Sequence, residues 1–274
     1  MTTSQPDDAA YTVTMRPQER HSTIIARLAE KGMVDVSELE EIIGVSGATI
    51  RRDLVLLEEQ HVLTRTHGGA VTTNFAYELP LKYKESRQRT EKDLIALEAA
   101  TLVSENMHIG LSGGTTLTRI ARAFAPGCAL TVVTNSLSIA SELAQWPQHT
   151  LIVTGGLVRA RSYEMVGPIA EHTIQEFGLD LCIIGADGVS AAGVTTYDHA
   201  EAVTNRALVE IADMCVVAVD HTKLDERTFA TICGLDSVDL LLTTAQPPPN
   251  LADSLASNAV KVQVAYGGTA DQAE

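Results

Sequence analysis

The N-terminal part of the chain has the apolar spacing of three short helices. Apolar residues recur at helical intervals in residues 20–31, and Gly32 follows as a helix stop. A second run extends from Asp35, a candidate N-cap, to Gly44, and a third begins after Ser46. We therefore predict three helices in this part of the chain.

A change to strand-like texture follows the third predicted helix. VLTRT and the residues after Gly68 and Gly69 read as two short strands joined at the glycines. In the third helix Ile50, Leu54 and Leu57 stand at i, i+4 and i+7, so this face packs against the other helices. Three helices and a hairpin predict a winged helix-turn-helix over residues 16–72.

The rest of the chain has the pattern of a larger α/β domain. Residues 73–92 are polar and irregular, which predicts a linker, and residues 93–266 alternate apolar strand-like runs with helix-like segments. This alternation predicts a mainly parallel sheet covered by helices on both faces. Pro247–Pro249 precede a last helix and strand, and disordered tails are expected at residues 1–15 and 267–274. The predicted strands lie in residues 107–111, 130–134, 150–154, 180–186, 215–219 and 239–243.

Composition limits how such a chain can contact nucleic acid. The chain has 20 basic and 35 acidic residues, which gives a net charge of −15, and most of the excess of acidic residues lies after residue 70. The chain as a whole repels polyanions, so any nucleic-acid contact must come from a local patch. The four cysteines show no C-x-x-C spacing, which predicts reduced thiols. No signal peptide or membrane span is evident, which predicts a cytoplasmic protein.

The stretch VSGATIRRDL supplies the local patch. Small residues at the start of a helix let its backbone approach a DNA groove, and the long donors Arg51 and Arg52 then reach bases or phosphates. Thr49 is a further candidate contact, and Arg65 and His67 lie on the predicted wing. The alternative is an ordinary solvated helix, on which the arginines pair with the acidic residues Asp53, Glu58 or Glu59.

Residues 20–71 resemble the N-terminal domain of the DeoR family of bacterial transcriptional regulators. The resemblance rests on the TIRRDL helix and on the HGGA that ends the wing. Gly47 and His61 depart from the family pattern, which has an acidic residue and a glycine there. The glycine costs up to about 1 kcal/mol of helix stability. The resemblance implies operator DNA as a partner, contacted by Ser46, Thr49, Arg51, Arg52, Arg65 and His67.

A second candidate site lies in IGLSGGTTL, residues 109–117. Gly113 and Gly114 allow backbone N–H groups to converge at a helix N-terminus, and Thr115 and Thr116 add hydroxyl donors, so an anion can bind there. The spacing matches neither a Walker loop nor a dinucleotide fingerprint. The alternative is a tight turn that uses its glycines for geometry alone.

Polar residues also follow the other predicted strands. In an open α/β sheet these strand ends share the edge where ligands bind. SGGTT, TNS, GG-x-x-R, GADG, GVTT and the lysine of DHTK resemble the DeoR effector domain, whose fold is shared with ribose-5-phosphate isomerase and which binds phosphorylated sugars. Ser112 replaces a frequent aspartate, which suggests a different pattern of ligand hydroxyls. The implied effector-binding residues are Ser112, Gly113, Gly114, Thr115, Thr116, Asn135, Arg159, Asp187 and Lys223.

Two functions are compared on these residues. The first is a repressor of a carbohydrate-metabolism operon, a homodimer or homotetramer that a phosphorylated sugar releases from its operator. The second is a sugar-phosphate isomerase-like enzyme, with Asp187 as base and Lys223 as stabiliser of an enediolate. GADG has Gly188 where the isomerase has a second acidic residue, which disfavours turnover. His199 and Glu201 lack the cysteines of a zinc deaminase, so neither a metal nor a cofactor is expected.

Overall fold

The computed structural model describes residues 15–60, 62–72, 78–85, 87–124 and 126–266. The chain divides into two compact units, Met1–Tyr77 and Glu78–Glu274. Apart from residue 15, both predicted tails lie outside the described residues, as do His61 and residues 73–77 of the predicted linker.

The first unit contains the three predicted helices and the hairpin. Its elements are α1 (Pro17–Lys31), β1 (Met33–Asp35), α2 (Val36–Ile43), α3 (Gly47–Glu59), β2 (Leu63–Arg65) and β3 (Gly69–Thr72). Helices α1 and α2 end at the predicted stops, Gly32 and Gly44, each of which has a left-handed φ of 74°. The predicted core face of α3 is confirmed, since Ile50, Leu54 and Leu57 are all buried.

Strand β1 was not predicted. It pairs antiparallel with β3 and completes a three-stranded sheet of order β1-β3-β2. Three residues are too few to show a strand period in the sequence. The pairing also explains Gly69, because a Cβ there would overlap the backbone carbonyl of Val34 in β1. The second glycine of HGGA is therefore needed for the close approach of the two backbones.

The second unit is built on seven parallel strands in the order β15-β14-β12-β9-β4-β5-β6. All six predicted strands are confirmed, as are the last helix and strand. The order reverses between β4 and β9, which makes their carboxyl ends the switch point of the sheet. The elements are α4 (Leu81–Lys84), α5 (Arg89–Ala99), β4 (His108–Leu111), α6 (Thr115–Phe124), β5 (Thr131–Thr134), α7 (Leu137–Leu143), β6 (Thr150–Val153), β7 (Leu157–Val158), β8 (Met165–Val166), α8 (Pro168–Gln175), β9 (Leu181–Ile184), β10 (Gly188–Ser190), β11 (Gly193–Thr196), α9 (His199–Glu210), β12 (Cys215–Ala218), β13 (Ala230–Cys233), β14 (Leu240–Thr243), α10 (Pro249–Ser257) and β15 (Lys261–Val264).

The central strands of the sheet are buried on both faces, as their continuous apolar runs predict, whereas the edge strands β6 and β15 are partly exposed. Alternate residues of β9 enter two separate apolar clusters: Cys182 and Ile184 join one, and Leu181 and Ile183 join the other. Successive side chains of a strand point to opposite faces, so each cluster is the core of one layer of helices. Among the described residues, no helix is long and apolar enough to cross a membrane.

The second half of the predicted linker is wrong. Residues 81–84 and 89–99 form helices α4 and α5 of the second unit, and the Leu81 N–H donates to the Arg161 carbonyl oxygen at 2.8 Å. The charged residues of this segment favour an exposed linker, but Lys84 and Lys92 make their contacts within the second unit. Strands β7, β8, β10, β11 and β13 were also missed, since they lie outside the parallel sheet, in a two-stranded and a three-stranded antiparallel sheet.

Candidate functional site

Helix α3 presents its two arginines to solvent. Arg51 and Arg52 are both exposed, and no ion pair with either is found across the described residues. Thr49 is half-buried, and its hydroxyl lies 3.2 Å from that of Ser46, the N-cap residue. The solvated-helix alternative pairs the arginines with Asp53, Glu58 or Glu59. Two of these three acids, Asp53 and Glu58, bind other residues instead.

The first of these acids, Asp53, is buried at 3% exposure and anchors α3 to α1. Arg20 Nε donates to Asp53 Oδ2 at 2.7 Å, Arg20 Nη2 donates to Oδ1 at 3.0 Å, and His21 Nε2 lies 3.0 Å from Oδ1. Burial would raise the pKa of Asp53, but hydrogen bonds from Arg20 and His21 lower it below its ordinary value. The RRD sequence therefore combines two exposed cations with one internal anchor.

The second acid, Glu58, ties α3 to the wing. Its Oε1 accepts from the Arg65 backbone N–H at 2.9 Å, and its Oε2 lies 3.0 Å from Arg65 Nε. Arg65 and His67 are exposed, as their predicted role requires. Arg65 is thus exposed at the surface, and the Nε edge of its guanidinium is paired with Glu58.

The start of α3 has a carboxylate that comes from α2. The Gly47 N–H donates to Glu40 Oε1, and a Cβ at position 47 would lie only 2.7 Å from that oxygen. A negative charge at a helix N-terminus satisfies free N–H groups and complements the helix dipole. Glu40 therefore supplies the charge that an acidic residue at position 47 would bring, and Gly47 makes room for it.

In the second unit, the predicted glycine turn lies at the switch point of the sheet. Ser112 is fully buried, and its Oγ accepts from the Gly185 N–H at 3.1 Å, which joins the ends of β4 and β9. Gly114 has a φ of 113°, and α6 begins directly after it at Thr115. The turn therefore presents the N-terminus of a helix at the edge where α/β sheets bind ligands.

Asn135, at the end of β5, is buried against two residues that the sequence did not single out. Its Nδ2 donates to Glu164 Oε2 at 3.2 Å and to Asn205 Oδ1 at 3.1 Å. Asn205 Nδ2 also donates to Glu164 Oε2, at 3.3 Å. A Cβ on Gly113 would overlap the Glu164 carboxyl group, so this group lies directly against the turn.

Arg159 is surrounded by carboxylates of its own unit. Its Nη2 lies 2.8 Å from Glu78 Oε2 and 3.2 Å from Asp198 Oδ2, and its Nη1 contacts Glu201 Oε1. Burial lowers the pKa of Arg159, but these carboxylates raise it above its ordinary value. The predicted ligand arginine is thus held by three internal partners.

Asp187 lies close to two lysines at the carboxyl edge of the parallel sheet. Lys84 Nζ donates to its Oδ1 at 2.9 Å, Lys223 Nζ lies 3.6 Å from the same oxygen, and the Thr196 hydroxyl donates to Oδ2 at 3.2 Å. Burial would raise the pKa of Asp187, but the two lysines lower it below its ordinary value. The predicted pair Asp187 and Lys223 is brought together, with Lys84 as an unpredicted third member.

Two family models cover most of the chain. The DeoR-like helix-turn-helix domain matches residues 20–74, and the DeoR C terminal sensor domain matches residues 87–245. The chain belongs to the DeoR family. It is a DNA-binding transcriptional regulator rather than an enzyme, so the isomerase-like alternative is not favoured.

Curated relatives of this DeoR-family chain align over nearly its whole length. The glycerol-3-phosphate regulon repressor of Escherichia coli is 30% identical over 91% of this chain and 100% of its own. The transcriptional regulator GolR of Listeria innocua is 35% identical over 84% of this chain and 91% of its own. Ribose 5-phosphate isomerase A from Methanocaldococcus jannaschii aligns with 48% of this chain and 53% of its own at 21% identity and a TM-score of 0.37, too low to support an argument.

The prediction missed five residues of the DeoR sensor unit that surround the predicted site: Glu78, Lys84, Glu164, Glu201 and Asn205. Glu78 and Lys84 fell within the predicted linker, and Glu164 belongs to a short unpredicted hairpin. Glu201 lies in the first turn of α9 and is buried against Arg159. The one signal for it in the sequence is its place two residues after His199, which was considered as a possible metal motif.

Proposed function

We propose that this DeoR-family regulator represses a carbohydrate-metabolism operon and leaves its operator when a phosphorylated sugar, or a related metabolite, binds the second unit. The observation that carries the proposal is the glycine turn at the N-terminus of α6, which opens at the switch point of the sheet. The relatives named as repressors, including that of the glycerol-3-phosphate regulon, support the same class of effector.

In the proposed complex, the phosphate lies on the backbone N–H groups of Gly113 and Gly114. Thr115 and Thr116 add hydroxyl donors, and the dipole of α6 favours the negative charge. Ser112 Oγ accepts a hydrogen bond from the Gly185 N–H, which ties the turn to the end of β9. Ser112 in place of the frequent aspartate leaves the turn intact and changes the pattern of ligand hydroxyls that the site would accept.

The remaining predicted ligand residues line the sugar side of the proposed site. Asn135 contacts the ligand directly. Arg159, Asp187 and Lys223 already form ion pairs within the unit, and a ligand that binds one member of such a pair releases the other member. Such an exchange changes the connections between strand ends, and it provides a physical route from ligand binding to a change of shape.

On the DNA side, the proposal places the start of α3 in the major groove and the wing beside the backbone. Two heads are needed to read a symmetric operator, so the regulator is proposed to act as a homodimer or homotetramer, in the cytoplasm where the operator lies. The proposed DNA contacts are Ser46, Thr49, Arg51, Arg52, Arg65 and His67.

The test measures ligand binding first and operator release second. Thermal unfolding is followed with a panel of sugar phosphates and the matching free sugars, because a ligand at 100 times its Kd adds about 2.7 kcal/mol to the free energy of unfolding. The active phosphate is then titrated into an operator complex followed by fluorescence anisotropy. Coupling of about 1 to 3 kcal/mol predicts a 5- to 150-fold loss of operator affinity.

A matched pair of variants locates the site. Thr115→Val, in the turn, weakens the phosphate response, while Thr101→Val, at an exposed position outside the turn, serves as the control. By reciprocity, saturating operator must weaken phosphate binding by the same factor. An operator affinity that stays constant under saturating phosphate would refute the proposed release.

A further inference from the structure

The amide of Asn135 leaves one buried acceptor open. The residue is fully buried and both bonds of its Nδ2 are made, yet its Oδ1 has no hydrogen-bond partner among the described residues. A buried acceptor without a partner is costly, and such atoms in folded proteins call for an explanation. The orientation of the amide is set by its neighbours, because Nδ2 faces the acceptors Glu164 Oε2 and Asn205 Oδ1.

Glu164, whose Oε2 lies 3.2 Å from Asn135 Nδ2, provides a donor next to this amide. Burial raises the pKa of Glu164 to about 8; Glu201 on α9 acts in the same direction, and Asn205, Asn135 and Lys84 on α4 oppose it. The carboxyl group is therefore protonated at neutral pH. Oε2 already accepts from two amides, so the proton belongs on Oε1. The carboxyl group overlaps the position of a Cβ on Gly113, which places this donor at the proposed phosphate turn.

A donor and an acceptor on two residues that are hydrogen-bonded to each other can complement a hydroxyl group, which both accepts and donates. We propose that Asn135 and Glu164 form a subsite for a ligand hydroxyl next to the phosphate: Asn135 Oδ1 accepts from the hydroxyl, and Glu164 Oε1–H donates to its oxygen. Asn205 is a positioning residue, since its Oδ1 fixes the Asn135 amide. The subsite rests on the proposed binding of phosphate in the turn.

This subsite selects a chemical class of ligand. It favours phosphate esters of polyols and sugars, with a hydroxyl close to the ester carbon, over simple alkyl phosphates. A neutral Glu164 also avoids a second negative charge beside the phosphate. Asn135 is fully covered, so a ligand hydroxyl reaches Oδ1 only after neighbouring side chains shift, which ties occupancy of the subsite to a change in the shape of the unit.

The first test compares ligands on the unaltered full-length protein. Calorimetric titration with glycerol 3-phosphate, ribose 5-phosphate and glucose 6-phosphate is set against propyl phosphate and inorganic phosphate. At least one hydroxylated ester should bind at least about tenfold more tightly than propyl phosphate, the effect expected for a hydrogen bond to a buried unpaired group.

The second test uses variants with the best ester from the first. Asn135→Ala and Glu164→Leu should reduce the preference over propyl phosphate to near unity, while Glu164→Gln should keep much of it because an amide retains a donor and an acceptor. Thr243→Val is the matched control: Thr243 is also fully buried, with a hydroxyl that has no partner among the described residues, but it ends β14 away from the turn.

The pH profile separates a ligand contact from a merely structural role. Above pH 7 a phosphate ester is already close to fully dianionic, since its second pKa is about 6. Raising the pH through the pKa of Glu164, about 8, removes the donor and adds a charge, so the preference should fall in the unaltered protein. In Glu164→Gln it should stay constant. This comparison remains decisive if Asn135→Ala does not fold.

The outcomes distinguish the two proposals. If propyl phosphate and the hydroxylated esters all bind with similar affinity, the hydroxyl subsite is overturned and the phosphate turn stands. If no phosphate binds, both are overturned. A preference that falls equally with pH in the unaltered protein and in Glu164→Gln would also overturn the role given to Glu164.

Discussion

Asp53→Asn tests whether one residue of the TIRRDL helix acts inside the protein while its neighbours act on DNA. The change removes the carboxylate that holds Arg20 and His21 and leaves Arg20, which is 9% exposed, without its anionic partner. Removing one partner of a buried ion pair typically costs about 3 to 5 kcal/mol. A unit of roughly 60 residues has a free energy of unfolding of about 3 to 9 kcal/mol in total. The first unit should therefore lose much of its stability.

The assay follows the two units separately. Hydrogen exchange read by mass spectrometry reports on α1 and α3, and the fluorescence of Trp146, the chain's single tryptophan, reports on the second unit. In Asp53→Asn the first unit should exchange far faster and operator binding should be lost, while Trp146 unfolds as before. Glu59→Gln, which removes the same charge from an exposed site on the same helix, is the control.

Acid supplies an independent check of the same anchor. The pKa of Asp53 is lowered in the folded protein, so its contribution is present above the unfolded pKa of about 4 and is lost as the pH falls through the folded pKa. The stability difference between Asp53→Asn and the unaltered protein should therefore shrink in acid. If Asp53→Asn exchanges at the rate of Glu59→Gln at neutral pH, the anchoring argument is wrong.

Three further changes probe the other contacts. Arg52→Ala should weaken operator binding by about 1 to 3 kcal/mol and reduce its salt dependence, with an unchanged unfolding curve, as read by anisotropy at several salt concentrations. Gly69→Ala places a Cβ against a neighbouring strand and should lower the unfolding temperature of the first unit, whereas Gly68→Ala, with no atom closer than 3.9 Å, should not. Asp187→Asn should lower the unfolding temperature of the second unit at neutral pH by weakening its hold on Lys84. Because the pKa of Asp187 is lowered, this difference should shrink once the pH falls below the unfolded value of about 4 and disappear as the pH falls through the folded pKa.

The two units differ in how local their signals are. The helices of the first unit could be predicted because caps, glycine stops and apolar spacing all lie within one turn or two of each other. The six predicted strands of the parallel sheet could be identified for a similar reason, since apolar side chains on both faces of a strand leave a continuous apolar run. Strand β1 and the hairpin of β7 and β8 could not, because two or three residues carry no period and form strands only against a partner.

The candidate ligand site shows the same division. The glycine turn and the polar residues after each strand were visible because a parallel sheet brings carboxyl ends to one edge. Their partners were not visible. Glu78 meets Arg159 from 81 residues away, and Asn205 meets Asn135 from 70 residues away. No spacing in the chain encodes such a contact.

The sequence by itself determined the family, the two kinds of domain, the helix proposed to read DNA and the position of the glycine turn, because each depends on residues close together in the chain. Only the tertiary structure decided which partners the charged groups contact and whether they are buried. It buried Asp53 under Arg20, placed a carboxylate of α2 at Gly47 and set Glu164 against the turn. The physical reason is that a charge takes its role from burial and from the partner that faces it, and both are properties of the folded chain.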